Sequence, residues 1–257
     1  MNNRNQRRKF GQNYLKDPAI LFEMEQSINP QPEDKFLEIG PGMGALTSLL
    51  NKENIFIAAI DVDESNINYL NEKFLGPADF IFIKDDILEN NLAFLESGIY
   101  RIAGNLPYNI STQIILKMIH HFNIVKDMHF LVQKEVAEKI AGSPGTKDWG
   151  KMSIKLAAFF KTEILFDVPP EAFDIKPKVN SSFIRMTPLE KTCIKNDQIK
   201  DFFEIIDLSF SSRRKNIKNN LKSKNIDWLA LGINNKDRSE DLSLESFVKI
   251  FEAVYKN

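Results

Sequence analysis

The chain has 257 residues, 43% of them hydrophobic, which is enough to bury a full core in one large domain or in a large domain with a small appendage. Its 34 Lys and Arg nearly cancel its 35 Asp and Glu, so the total charge does not point to a nucleic-acid partner, and the single cysteine, Cys193, excludes an internal disulfide framework and a thiolate zinc cluster. No apolar stretch reaches the roughly 20 residues needed to span a bilayer, and the first residues, MNNRNQRRKFGQ, lack the apolar segment of a secretory signal, so a cytoplasmic location is expected.

Apolar runs alternate with amphipathic ones along the first half. KFLEIG (35–40), IFIAAID (55–61) and DFIFIKDD (79–86) read as strands, with ALTSLLNK (45–52) and ESNINYLNEKF (64–74) as the helices between them. YRIAGN (100–105) and MHFLVQ (128–133) continue the series around a helix at STQIILKMIHHF (111–122). Unbroken runs of Ile, Phe and Ala predict strands covered on both faces, as in a parallel, doubly wound sheet of βαβ units. AGSPGTKDWG (141–150) predicts a loop, and residues 164–188 mix strand-like pieces with prolines. From about residue 190 the pattern becomes helical, in DQIKDFFEIIDLSF (197–210), RRKNIKNNLK (213–222), IDWLALG (226–232) and SLESFVKIFEAVYK (243–256). The expected architecture is an α/β, Rossmann-like domain over residues 1–190 and a small all-α domain over 191–257.

Positive charge is concentrated at two places. Arg4, Arg7, Arg8, Lys9 and Lys16 occur with no acid within residues 1–16, and SSRRKNIKNNLKSK (211–224) holds six basic residues and no acid. Such runs are either solvated faces or phosphate-binding surfaces; Arg213, Arg214, Lys215 and Lys218 are the candidates for nucleic-acid contact. His120, His121 and His129 show no metal-ligand spacing with carboxylates and read as structural or surface residues.

LEIGPGMGAL (37–46) follows the first strand and opens a helix, the context in which Gly40, Gly42 and Gly44 let the backbone approach a ligand. The glycines alone fit nicotinamide adenine dinucleotide and S-adenosylmethionine equally. Asp61 ends the second strand, where a carboxylate accepts hydrogen bonds from a ribose diol. Asp86 follows the third strand and could accept from the exocyclic amine of an adenine. GNLPYN (104–109) ends the fourth with Asn105, Leu106, Pro107 and Tyr108. This is either a plain turn or a site that orients an aromatic amine for methyl transfer. In the second case the Asn105 side-chain oxygen and the Leu106 or Pro107 carbonyl accept the amine hydrogens, and Tyr108 stacks on an extruded base.

These motifs, together with RRKFGQNYL (7–15), EIGPGMGALT (38–47), GNLPYNIS (104–111), MHFLVQKEVAEKI (128–140), PPEAF with PKVNSSFIR (169–185) and SSRRKNIKNNL (211–221), resemble the ribosomal RNA small-subunit adenine dimethyltransferase family over almost the whole length. The resemblance implies an S-adenosylmethionine-dependent enzyme, with no metal, that converts two adjacent adenosines of small-subunit ribosomal RNA to N6,N6-dimethyladenosine during ribosome assembly. It implies a cofactor pocket at Asn13, Leu15, Gly40, Asp61, Asp86 and Asn105, and base stacking by Tyr108 and Phe173. Two positions depart from the family pattern: the ribose-binding acid, often Glu, is Asp61, and the usual Pro two residues after the stacking Phe is Ile175. The expected partner is small-subunit RNA in an assembling subunit, met by a monomer with no membrane contact. The alternatives are a large-subunit rRNA adenine N6-methyltransferase and a non-catalytic RNA-binding assembly factor; a nicotinamide dehydrogenase leaves the Asn-Leu-Pro-Tyr stretch without a role.

Overall fold

The structure is a computed structural model that describes residues 13–95 and 97–255. The basic residues Arg4, Arg7, Arg8 and Lys9, and most of RRKFGQNYL, lie outside the described residues. Two compact units are present, one formed by residues up to Ala137 with Glu163–Thr187, the other by Glu138–Thr162 with the chain from Pro188 onward.

The first unit opens with helix α1 (Pro18–Ile28), which the apolar pattern did not disclose although its cap is written in the sequence. Asp17 accepts from the amides of Ala19 and Ile20 at 2.9 and 3.2 Å, and Pro18 fills the first helical position, where no amide donor is needed. Then follow β1 (Lys35–Ile39), α2 (Ala45–Leu50), β2 (Phe56–Asp61), α3 (Glu64–Lys73), β3 (Asp79–Lys84), β4 (Tyr100–Asn105) and α4 (Ser111–Met118). A 3-10 turn over Ile119–Ile124 replaces the last part of the helix expected at 111–122, and leads into β5 (Val125–Gln133) and α5 (Lys134–Ile140). After α6 (Lys151–Ala157), which belongs to the second unit, come β6 (Phe160–Val168) and β7 (Ser181–Pro188).

The strands form one sheet of seven in the order β3-β2-β1-β4-β5-β7-β6. β1 to β5 run parallel, as the βαβ pattern predicts, but β7 is antiparallel to β5, with Phe130 opposite Ile184. The segment from 169 to 180 that precedes β7 contains only a short 3-10 turn, not a crossover helix, so nothing requires a parallel return. β1, β2 and β4 are buried on both faces, whereas β3 alternates because it is the edge strand, with Ile81 exposed. The expectation of full cover therefore fails at DFIFIKDD. At Gly104 a Cβ would come within 2.6 Å of the Ile39 carbonyl, so glycine is what lets β4 lie against β1 beside the site.

In the second unit α7 (Ile199–Ser209) and α9 (Leu244–Tyr255) bury Phe202, Ile206, Phe247 and Phe251, with the Phe202 and Phe251 rings 5.8 Å apart edge to face. The unit includes Glu138–Thr162, unlike a single cut near residue 190. Lys155 of α6 pairs with Asp207 of α7 at 2.9 Å, and the Trp149 indole donates to the Leu242 carbonyl at 2.8 Å. Two expected helices contract. Only Ile217–Asn220 (α8) of RRKNIKNNLK is helical, because Arg213 to Lys215 form a turn that leads to Asn216, the N-cap. IDWLALG forms turns with no helix, stopped by Gly232 at φ +65°. Among the described residues no helix is long and apolar enough to cross a membrane.

Candidate active site

The carboxyl ends of β1, β2 and β4 converge on a cavity of about 390 Å3, lined also by the turn after β3 and by residues 13–15. That is where an open α/β sheet exposes polar backbone and side chains to a ligand. Asn13, Leu15, Gly40, Asp61, Asp86, Asn105 and Pro107 all line it.

The glycine turn forms one wall. Gly42 adopts φ +56°, and a Cβ there would come within 2.6 Å of the Tyr14 ring, so both conformation and space call for glycine. The Gly42 amide donates to Asp61 Oδ2 at 3.2 Å, and the Asn66 amide group donates to the same oxygen at 3.0 Å. Asp61 Oδ1 accepts from the Asp63 amide at 2.9 Å. Burial pushes the Asp61 carboxyl up from its ordinary value, against the pull of these three donors.

Glu38 of β1 is the residue that sequence reasoning passed over. It is 1% exposed and lines the cavity, and its Oε2 has no hydrogen-bond partner among the described residues. Burial raises its pKa from 4.5 to about 8. A buried acid with an unanswered oxygen is costly unless a ligand supplies a donor or a cation. The signal was a Glu set among the apolar residues Phe36, Leu37 and Ile39 of the strand.

Among the described residues one hydrogen bond holds the Asn105 side chain and fixes which way its amide faces. Its Nδ2 donates to the Asn13 carbonyl at 2.7 Å, and since only the NH2 end can donate to a carbonyl, Oδ1 is left as the acceptor. Pro107 lines the cavity, and its carbonyl accepts from the Ile110 amide at 3.1 Å, which leaves one lone pair. Leu106 itself is buried, and its amide donates to Leu131 O at 3.1 Å. The half-buried Tyr108 bonds through its hydroxyl to Ser181 Oγ at 2.6 Å, and burial raises its pKa. Ser181 was not picked out from the sequence.

Asp86 is half-buried, and its Oδ1 caps the turn by accepting from the Leu88 amide at 2.8 Å. Phe173 is placed differently from the expectation. It is 0% exposed, bridges Leu15 through backbone pairing and belongs to the core with Ala172 and Phe183, so neither ring face is open to a base. The amide of Ile175 donates to Asp174 Oδ1 at 2.7 Å, a bond that a proline there would remove. The strap of residues 13–17 is tied to the same segment. Tyr14 N donates to Asp174 Oδ1 (3.1 Å), Asp174 N to Tyr14 O (2.9 Å) and Lys16 N to Ala172 O (2.9 Å).

In the second unit Arg213, Arg214, Lys215 and Lys218 are all exposed and make no ion pair among the described residues.

Residues 3–256 match the family described as ribosomal RNA adenine dimethylase. The chain is 39% identical over 247 residues to the ribosomal RNA small subunit methyltransferase A of Neisseria meningitidis, covering 95% of this chain and 94% of that one. It is 39% identical over 253 residues to the protein of the same name from Legionella pneumophila, covering 96% and 97%. In fold it is similar to a dimethyladenosine transferase from Plasmodium falciparum, with a TM-score of 0.78 at 23% identity over 92% of this chain and 95% of that one. It is also similar to the 23S rRNA methyltransferase ErmE, with a TM-score of 0.72 at 20% identity over 94% and 99%.

Proposed function

Because the chain belongs to the ribosomal RNA adenine dimethylase family, we propose that it transfers methyl groups from S-adenosylmethionine to N6 of two adjacent adenosines in small-subunit ribosomal RNA, in the cytoplasm and during subunit assembly. The observation that carries this reading is the Asn105 amide, turned by the Asn13 carbonyl so that its oxygen is free to accept at the edge of the cavity.

The residues present fit such a cofactor. Asp61 has one oxygen with a single donor and can accept from ribose hydroxyls, Asp86 stands where an adenine amine would be met, and the unanswered Glu38 oxygen suits a ligand that carries positive charge. When bound, S-adenosylmethionine supplies an already activated methyl group. The work left to the protein is positioning. Asn105 Oδ1 and the Leu106 or Pro107 carbonyl accept the amine hydrogens, which turns the nitrogen lone pair out of conjugation with the ring, and Tyr108 offers its ring to the base. With Phe173 in the core, base stacking rests on Tyr108. The exposed basic turn at 213–218 is assigned to RNA phosphates.

Incubation with labelled S-adenosylmethionine and under-methylated small subunits, followed by mapping of modified bases, tests the reading. Label in two adjacent adenosines, as dimethyladenosine, is expected. Label in large-subunit RNA would favour the 23S-type alternative, and binding of cofactor and subunit without transfer would favour an assembly factor; either result refutes the proposal.

A further inference from the structure

Tyr14 touches the cofactor cavity in two ways at once. Its ring lies over Gly42, close enough to exclude a Cβ, and its hydroxyl donates to Asn66 Oδ1 at 3.2 Å. Asn66 is 3% exposed and passes the interaction on, donating through Nδ2 to Asp61 Oδ2 at 3.0 Å. With its oxygen committed to a phenol and its nitrogen to a carboxylate, the Asn66 amide has one orientation only. Asp61 is shorter than a glutamate by one methylene and ends the strand, so the placement of its carboxylate depends on what holds it from the side. Asn66 is that side support, and the Gly42 amide on the same oxygen ties the glycine turn into the same chain of bonds.

We infer that Tyr14 and Asn66 are positioning residues for cofactor binding, forming a relay, Tyr14 to Asn66 to Asp61, that sets the ribose-binding carboxylate only when residues 13–17 are docked. The inference deepens the reading of the cavity as an S-adenosylmethionine site and rests on it. No proton transfer is required: each member donates a hydrogen bond to the next. Loss of the Tyr14 hydroxyl leaves the ring over Gly42 in place but frees Asn66 to rotate, which loosens Asp61 without altering Asn105 or Tyr108.

The test uses the full chain with Tyr14→Phe, Asn66→Ala and the double variant. Calorimetric titration with S-adenosylhomocysteine gives Kd, and assays on under-methylated small subunits give KM for each substrate and kcat. Tyr14→Phe should raise Kd and the cofactor KM by about three- to tenfold, the range of one net hydrogen bond, while kcat at saturating cofactor and KM for the subunit stay at the parent's values. Asn66→Ala should raise Kd at least as much, and adding Tyr14→Phe to it should change nothing further, because the relay is already cut. Parental Kd in Tyr14→Phe, additive effects in the double variant, or a loss that falls on kcat would each overturn the relay. If Asn66→Ala does not fold, Tyr14→Phe alone decides. Failure of the parent to bind S-adenosylhomocysteine would instead count against the cavity being a cofactor site.

Discussion

Glu38→Gln should make the ligand-free protein more stable at neutral and alkaline pH while weakening its hold on the cofactor. The unfolded chain ionises Glu38 near 4.5, whereas burial keeps the folded carboxyl protonated up to about 8. Between those values the folded state binds more protons than the unfolded one, so stability falls as pH rises, by about 1.4 kcal/mol per pH unit. The contribution is intact below pH 4.5 and fully lost above pH 8. At pH 7 the loss amounts to about 3 kcal/mol and it levels off near about 5 kcal/mol, upper figures that any local opening toward water would reduce. Gln has nearly the same shape and no charge, so this slope should vanish. Asp61, also raised by burial, contributes a slope of the same sign in both proteins and cancels from the difference. Urea unfolding followed by circular dichroism at a series of pH values provides the measurement. The stability of the variant relative to the parent should rise by about 2–5 kcal/mol between pH 5 and pH 9. In the same variant S-adenosylmethionine should bind at least about tenfold more weakly at pH 8, where the parent offers a carboxylate to a cation. Parallel stability curves for the two proteins would show that Glu38 is ionised normally in the fold, and the reasoning would be refuted.

Asp61→Ala removes the acceptor shared by Gly42, Asn66 and Asp63, and cofactor affinity measured by calorimetry should drop by roughly 1–3 kcal/mol; unchanged affinity in a folded variant would remove Asp61 from the site. Tyr108→Phe keeps the ring and loses only the bond to Ser181, so kcat/KM should fall by the equivalent of roughly 0.5–1.5 kcal/mol, whereas Tyr108→Ala should lose a further roughly 1–3 kcal/mol of stacking. If the two variants are equally impaired, the hydroxyl matters and the ring does not. Replacing Arg213, Arg214, Lys215 and Lys218 together by Ala should leave S-adenosylmethionine binding intact, weaken subunit binding at moderate salt and make log K less steep in log salt by about 0.7–0.9 for each phosphate that is no longer neutralised. A parental affinity and slope would return these four exposed residues to the status of a solvated charged face.

The strand ends were legible because three local facts coincide at each of them: an apolar run stops, a polar residue or glycine follows, and a helix begins soon after. KFLEI-G, FIAAI-D and YRIAG-N therefore place Gly40, Asp61 and Asn105 on the cavity without any knowledge of tertiary contacts. What escaped depends on pairing across long separations. Tyr14 meets Asn66, 52 positions away, and Tyr108 meets Ser181, 73 positions away, and no periodicity encodes either bond. Phe173 is ambiguous for the opposite reason: an aromatic beside prolines reads equally as a stacking platform and as core, and the fold buries it in one cluster with Leu15, Ala172 and Phe183. IDWLALG carries a helical apolar spacing but is too short to propagate from its own nucleus, so turns win there.

The clasp between Tyr14 and Asp174 joins residues 160 positions apart, and the Asn13 carbonyl that turns the Asn105 amide belongs to the strap this clasp holds. During synthesis the glycine turn, Asp61 and Asn105 all leave the ribosome before the residues that fasten the strap exist. The acceptor geometry at Asn105 is therefore completed late, once Ala172 to Asp174 have been added and a long loop has closed. An emerging chain therefore holds Gly40, Asp61 and Asn105 before the contacts that orient the Asn105 amide can form, and the cavity gains that alignment only when this unit has been translated nearly to its end. In refolding experiments the amides of Tyr14 and Asp174 should gain protection from hydrogen exchange together, and no earlier than those of β4 and β5.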